Sequence, residues 1–202
     1  MDNLHVAERV GIGIRMESRV RHCLNDRYGY NFEAATFHED CVDKVDCWHI
    51  TKSGNRLRSA IKVRLNKYGE LETVKTDILL DIYDPFYGVY DLRTKIGRDI
   101  LFEYDMYISA IKSCIRVAKG KLVHKISLGM YKEGLSEIEK LKPKEKGFGS
   151  QLVFCSTIYP ECQIWLHYDK FDRHPKLLAF IPPVILGKNI KNYDLPEEYE
   201  RN

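Results

Sequence analysis

Between residues 45 and 65, apolar and polar positions alternate in a pattern that predicts a β-hairpin. One strand is predicted over 45–51 and a second over 57–65, and the glycine of the turn Ser53-Gly54-Asn55 is a usual hairpin signal. The less apolar face of the second strand carries Arg58, Ala60, Lys62 and Arg64. Asp46 and Lys62 are therefore expected to project towards one site from neighbouring strands.

Before the hairpin, apolar residues recur at spacings of three and four from about Val6 to Tyr28, which predicts an amphipathic helix. Glu17 lies in the middle of this inward-facing stripe. Because burying an unpaired carboxylate is costly, an inward-pointing Glu17 needs a partner or a metal ion close by. Alternatively, Glu17 lies at the edge of the stripe and pairs with Arg15 or Arg21.

The rest of the chain predicts mostly short strands, over residues 31–37, 74–83, 100–109, 152–158, 163–168 and 177–181. A second hairpin is expected over 115–125, turning at 119–121, and a second helix over 127–141. The polar tail from Lys188 is expected to be loosely held. This order predicts an α/β fold, in which a mixed, mostly antiparallel central sheet is flanked by helices.

Length and composition fit one globular domain, with a core over about 5–126 and a C-terminal elaboration over about 127–202. The 32 Lys and Arg residues against 29 Asp and Glu give a net charge of +3, which allows a nucleic-acid-binding patch without requiring one. No apolar run has the length of a membrane span, and no hydrophobic signal region is visible, so no membrane partner is expected. Six scattered cysteines without CxxC pairs indicate reduced thiols and a cytoplasmic protein, in a host cell if the source is viral.

Four features follow one another along the first half of the chain. Glu17 lies on the predicted helix, Asp46 on a strand, Lys62 on the next strand, and Asp105-Met106-Tyr107 on a further strand. This order, over about residues 10–110, resembles the PD-(D/E)xK nuclease superfamily, whose members share the restriction-endonuclease-like fold. The resemblance implies that fold and a metal-dependent nuclease that hydrolyses phosphodiester bonds, with DNA as the expected substrate.

The resemblance also implies a role for each residue. Asp46 would be the main ligand of Mg²⁺ or Mn²⁺ and Glu17 a second one, because these ions prefer oxygen ligands and activate the attacking water. Lys62 would orient that water or stabilise the charge that develops on the phosphate. Arg58 and Arg64 would contact flanking phosphates. Many proteins of this fold work as dimers, so a homodimer is allowed.

The sequence departs from the family motif at one position. The acid expected two residues before the lysine is Ala60, and alanine cannot ligate a metal ion. Asp77 and Asp81, four residues apart on the strand predicted over 74–83, are candidates to replace it. Otherwise the site is inactive and the fold binds nucleic acid or protein without cutting, or the pairing of Asp46 with Lys62 is accidental.

The segment 83–98 combines aromatic and basic residues in a way that is typical of nucleic-acid contacts. Aromatic rings can stack on bases while basic side chains hold phosphates. The basic residues expected to bind nucleic acid here are Arg93, Lys95 and Arg98. An equally open interpretation is a loop that covers the edge of the sheet.

Overall fold

The computed structural model describes residues 6–41, 43–66, 68–73, 77–83, 103–140, 151–168 and 175–200. The chain divides into two compact units, which are interleaved in sequence. The first takes Met1–Thr76, Tyr104–Gly120 and Lys188–Asn202, and the second takes Asp77–Glu103 and Lys121–Gly187. Among the helices of the described residues, none combines the length and the apolar character that a membrane span requires.

The described residues form two long helices, three short helices and ten strands. In chain order the elements are α1 (Val6–Tyr28), β1 (Phe32–Ala34), α2 (Phe37–Cys41), β2 (Cys47–Ile50), β3 (Arg56–Val63), β4 (Ile78–Tyr83), β5 (Met106–Ile111), β6 (Cys114–Lys119), α3 (Gly120–Lys140), β7 (Gln151–Cys155), β8 (Gln163–Tyr168), β9 (Pro175–Ile181), α4 (Pro183–Leu186), a 3-10 turn (Gly187–Asn189), β10 (Ile190–Asp194) and α5 (Glu197–Glu200).

The first unit is built on a six-stranded sheet with the order β1-β2-β3-β5-β6-β10. All neighbouring strands are antiparallel except β3 and β5, which are parallel. This arrangement confirms the predicted α/β class with a mixed, mostly antiparallel sheet flanked by helices. The closer likeness to the restriction-endonuclease-like fold stays a prediction.

Helix α1, with the bounds that its apolar periodicity predicted, packs on one face of this sheet. Met16, Val20 and Leu24 are almost fully buried in a cluster with apolar side chains of the strands. Those strand residues include Cys47, Ile61, Ile108, Ala110, Ile115 and Val117. We call the face that carries them the inner face and the opposite one the outer face. Burying this stripe, rather than helix propensity, stabilises α1.

The six-stranded sheet is curved. In a flat sheet the outermost strands β1 and β10 would lie about 24 Å apart, at about 4.8 Å per strand. The hydroxyl of Tyr30, just before β1, nevertheless lies 2.7 Å from the hydroxyl of Tyr193 in β10. At the end of α1, the hydroxyl of Tyr28 donates a hydrogen bond to the backbone carbonyl of Asp194 at 2.7 Å. The two outer strands therefore approach each other around the end of α1.

The second unit contains a four-stranded antiparallel sheet with the order β4-β9-β8-β7, together with α3. The predicted strand 163–168 has the same bounds as β8. After β7, the carboxylate of Glu133 on α3 accepts hydrogen bonds from the backbone N–H groups of Thr157 and Ile158 and from the hydroxyl of Ser156. These bonds hold the turn that connects β7 to β8.

Two predicted elements are wrong. Residues 115–125 do not form a hairpin, because β6 passes directly into α3, which begins at Gly120 instead of residue 127. The tail is not loosely held, because β10 pairs with β6 along its whole length and Leu195 is almost fully buried. The strand predicted over 100–109 begins at Met106 as β5, and residues 100–102 lie outside the described residues.

Candidate functional site

The β2–β3 hairpin aligns the residues on which the nuclease resemblance rests. Cys47 pairs with Ser59 in the antiparallel register, and one further step places Asp46 opposite Ala60. Side chains alternate along β3, so Lys62 shares the outer face with Ala60. The hairpin thus places Asp46 and Lys62 on one face, with an alanine at the position of the second acid.

Two aspartates fasten β3 to its neighbouring strands. A carboxylate oxygen of Asp46, just before β2, accepts a hydrogen bond from the backbone N–H of Ile61 at 2.7 Å. A carboxylate oxygen of Asp105, just before β5, accepts one from the backbone N–H of Arg58 at 2.9 Å. At the start of each strand, the side-chain carboxylate is the hydrogen-bond acceptor for β3, a role that a backbone carbonyl has elsewhere in the sheet. Both aspartates therefore have a structural role.

These two carboxylates do not make a shared metal site through the oxygens that accept these bonds. The N–H groups that they bind lie three residues apart on β3, which corresponds to about 10 Å. Oxygen ligands of one Mg²⁺ each lie about 2.0–2.1 Å from the ion. Across the described part of the chain, no group of three or more His, Cys, Asp or Glu side chains could hold a metal ion.

Glu17 lies on the α1 side of the sheet. Burial raises the pKa of the Cys47 thiol far above its ordinary value, and the negative charges of Asp46 and Glu17 raise it further. Glu17 belongs to α1, which packs on the inner face, whereas Lys62 occupies an outer-face position of β3.

The other predicted site residues fall in three places. Asp77 directly precedes β4 and Asp81 lies within it, so both belong to the second unit. Arg58 and Arg64 occupy outer-face positions in and just after β3, and the guanidinium of Arg58 donates a hydrogen bond to the backbone carbonyl of Asp43. The predicted nucleic-acid contacts that lie outside the described residues are Arg93, Lys95 and Arg98.

A row of polar side chains crosses the outer face next to the hairpin. Lys62 on β3 is in register with Ser109 on β5, and Ser109 is in register with Arg116 on β6. Asn192 on β10 continues the row. Neighbouring residues in such a row have Cβ atoms about 4.5–5.5 Å apart, so two cationic side chains flank one hydroxyl. We call Lys62, Ser109 and Arg116 the cationic row.

Two members of the cationic row are buried. Arg116 is 8% exposed and Ser109 is 5% exposed. Among the described residues, nothing forms a hydrogen bond with Nε of Arg116 or with the hydroxyl of Ser109, and nothing forms an ion pair with Arg116. A buried guanidinium stays charged and costs several kcal/mol, on the order of the usual penalty for one ion, unless an anion compensates it. The row therefore has the chemistry of an anion-binding site.

Sequence reasoning missed Ser109 and Arg116. One signal was available, since Arg116 interrupts the apolar run of Cys114–Lys119, where a surface strand would show regular alternation. Nothing in the sequence indicated that Ser109 and Arg116 lie beside Lys62, because their proximity depends on the parallel pairing of β3 with β5 across 47 residues of chain.

Comparison with protein-family models, with curated proteins and with solved structures finds no match to this chain. The resemblance to the PD-(D/E)xK nucleases therefore stays a prediction from the order of Glu17, Asp46 and Lys62.

The structural role of Asp46 leads to a stability prediction. Asp46→Ala leaves the N–H of Ile61 without its acceptor, and we expect the free energy of unfolding to fall by about 1–3 kcal/mol. Asp46→Asn keeps a side-chain oxygen at the same place and should recover most of that loss. Urea unfolding followed by circular dichroism measures both variants. Equal losses in the two would show that the negative charge, and not the hydrogen bond, stabilises the strand.

Proposed function

We propose that this protein binds nucleic acid through its phosphate backbone, at the outer face that carries the cationic row. The observation that carries the proposal is Arg116, which is 8% exposed and to whose side chain no described residue gives an ion pair or a hydrogen bond. A phosphate would supply the opposite charge and acceptor oxygens in the planar geometry that guanidinium groups bind best. Lys62 would add a second positive charge.

The cationic positions of the outer face extend along β3. Arg58, Lys62 and Arg64 occupy outer-face positions along β3, and Arg58 and Arg64 are six residues apart, which is about 20 Å along a strand. That length exceeds what one phosphate occupies. Phosphate contacts of this kind position a nucleic acid without reading its sequence, so we expect little sequence preference.

Metal-dependent cleavage has weaker support than binding. Mg²⁺ needs several oxygen ligands, Ala60 stands where the resemblance expects one of them, and Glu17 belongs to α1 on the inner side of the sheet. The side chains of the described residues do not fit this ion. Binding without cutting is the form of the nuclease resemblance that these side chains favour.

Fluorescence anisotropy with labelled single-stranded and duplex DNA and RNA tests the proposal. Arg116→Met and Lys62→Met should each weaken binding about tenfold or more and reduce the salt dependence by about one phosphate contact. Lys119→Met is the matched control, because Lys119 is exposed on the same strand as Arg116 and alternates to the inner face. It removes the same charge and should change the affinity less than about twofold.

Two results would overturn this proposal. One is a parent protein that binds none of the four nucleic acids at low salt, and the other is an equal loss of affinity in the Lys119→Met control. The same reactions with Mg²⁺ or Mn²⁺, analysed on denaturing gels, test cleavage. Cutting that Asp46→Asn abolishes, with binding retained, would restore the nuclease as the function of the hairpin.

A further inference from the structure

A second site opens on the inner side of the curved sheet, where the end of α1 meets the outer strands. A cavity of about 410 Å³ lies there. We call this cavity the tyrosine pocket. The side chains that define it come from the end of α1 and the segment before β1, from β2 and the turn after it, and from β10. They are Tyr28, Tyr30, His49, Lys52, Lys191 and Tyr193. Pockets of about 300–1,000 Å³ hold small molecules such as cofactors.

The tyrosine pocket is separate from the cationic row. Lys191 and Tyr193 alternate with Asn192 along β10, and only Asn192 is in register with Arg116. Tyr193 is in register with Ile115, which packs against α1 on the inner face. The pocket and the row therefore belong to opposite faces of the same sheet, and a ligand of one does not touch the other.

The aromatic rings of the pocket are held in place before any ligand binds. The hydroxyls of Tyr30 and Tyr193 form a hydrogen bond at 2.7 Å, and their rings meet edge to face with centroids 5.7 Å apart. The ring of Tyr28 packs at 4.6 Å from that of Tyr193, and His49 meets Tyr30 edge-on at 5.5 Å. All four side chains are half-buried. Rigid aromatic side chains with part of their surface exposed are suited to stack on a planar ring.

His49 adds a neutral ring to the pocket. Burial lowers the pKa of His49 below its usual range, so the imidazole is neutral at neutral pH and has one donor and one acceptor nitrogen. Its Nδ1 is enclosed by protein, and no described residue forms a hydrogen bond with it. Because solvent does not reach Nδ1, a ligand in the pocket does not bond to it, and His49 contributes its ring to the pocket wall.

The charge of the pocket favours an anion beside the planar ring. Lys52 and Lys191 are both exposed at its edge. No Asp or Glu lies among the described residues that line it. The carbonyl of Asp194, and not its carboxylate, accepts the bond from Tyr28.

We propose that the tyrosine pocket binds a nucleobase that carries a phosphate, with the base against the tyrosine rings and the phosphate between Lys52 and Lys191. The ligand is either a free nucleotide or the terminal nucleotide of a single strand, because both present the same groups. This site extends beyond the proposed function, which concerns backbone phosphates on the outer face.

Isothermal titration calorimetry with AMP, adenosine and inorganic phosphate tests the pocket. AMP should bind at least about fivefold more tightly than adenosine or phosphate alone, because only AMP contacts the rings and the lysines together. The double variant Lys52→Met, Lys191→Met should weaken AMP binding about tenfold and leave adenosine binding unchanged. Lys188→Met is the control, since Lys188 is exposed just before β10 and is not part of the pocket lining.

Competition separates the two sources of the ligand. A 5′-phosphorylated oligonucleotide that displaces AMP more strongly than its unphosphorylated form points to strand ends, and displacement by neither points to free nucleotides. Arg116→Met should bind AMP like the parent protein, so failure of the outer-face proposal does not affect this one. Three results would overturn the pocket proposal. The first is equal binding of AMP and adenosine, and the second is an equal loss of affinity in the Lys188→Met control. The third is a parent protein that binds no AMP and shows no preference for the phosphorylated oligonucleotide.

Discussion

Gly120→Ala should lower the free energy of unfolding by more than about 3 kcal/mol, or prevent folding. An alanine Cβ at this position would lie 1.8 Å from the backbone carbonyl oxygen of Tyr104 and 2.5 Å from its carbon. These atoms cannot move away easily, because the next residue, Asp105, is hydrogen-bonded to β3 through both its backbone and its side chain. Its N–H donates to the carbonyl of Arg58, and its carboxylate accepts from the N–H of Arg58, both at 2.9 Å.

Gly13→Ala is the matched control for this prediction. Gly13 lies inside α1, and a Cβ built there meets nothing within 4 Å. Because glycine costs a helix interior about 0.5–1 kcal/mol relative to alanine, this variant should be slightly more stable than the parent. Urea unfolding followed by circular dichroism measures both variants. A Gly120→Ala protein as stable as the parent would mean that the start of α3 does not lie against residues 104 and 105.

The same glycine explains why the sequence misled the prediction of α3. Lys119-Gly120-Lys121 has the composition of a turn, so a hairpin was expected there. The glycine is needed instead because the first turn of α3 approaches the backbone at Tyr104, a residue 16 positions earlier in the chain. Local periodicity correctly predicted α1, the β2–β3 hairpin and β8, whose patterns are set by their own neighbours. It could not predict a close approach between distant segments.

The candidate sites show the same limit. The hairpin pattern alone placed Asp46 and Lys62 on one face. The cationic row needs the parallel pairing of β3 with β5, and the tyrosine pocket needs β10 to pair with β6 and to approach the end of α1. The tail that forms β10 is polar in sequence, because an edge strand buries few of its side chains. For this reason its sequence predicted a poorly ordered terminus. Residues brought together by sheet curvature leave no spacing signal.

Arg116→Met should make the protein more stable while it loses affinity for nucleic acid. A buried, unpaired charge opposes folding. Replacing buried ion pairs by apolar side chains of similar volume often stabilises proteins by about 1–4 kcal/mol, and removing an unpaired ion should give a gain of that order. Thermal unfolding of the parent and the variant without ligand measures this gain. The gain would come from removing a group that the folded chain does not need for its own packing, as is common for binding residues.

Arg116→Lys and added phosphate complete this experiment. Lysine keeps a charge at the site but lacks the planar fork, so it should show little gain in stability and a partial loss of affinity. Inorganic phosphate should raise the melting temperature of the parent more than that of Arg116→Met, because a ligand stabilises only the form that binds it. Salt exclusion from the protein surface acts on both proteins alike and cancels in the comparison. A clear loss of stability in Arg116→Met, with no difference in the effect of phosphate, would mean that this arginine supports the fold and does not hold a ligand.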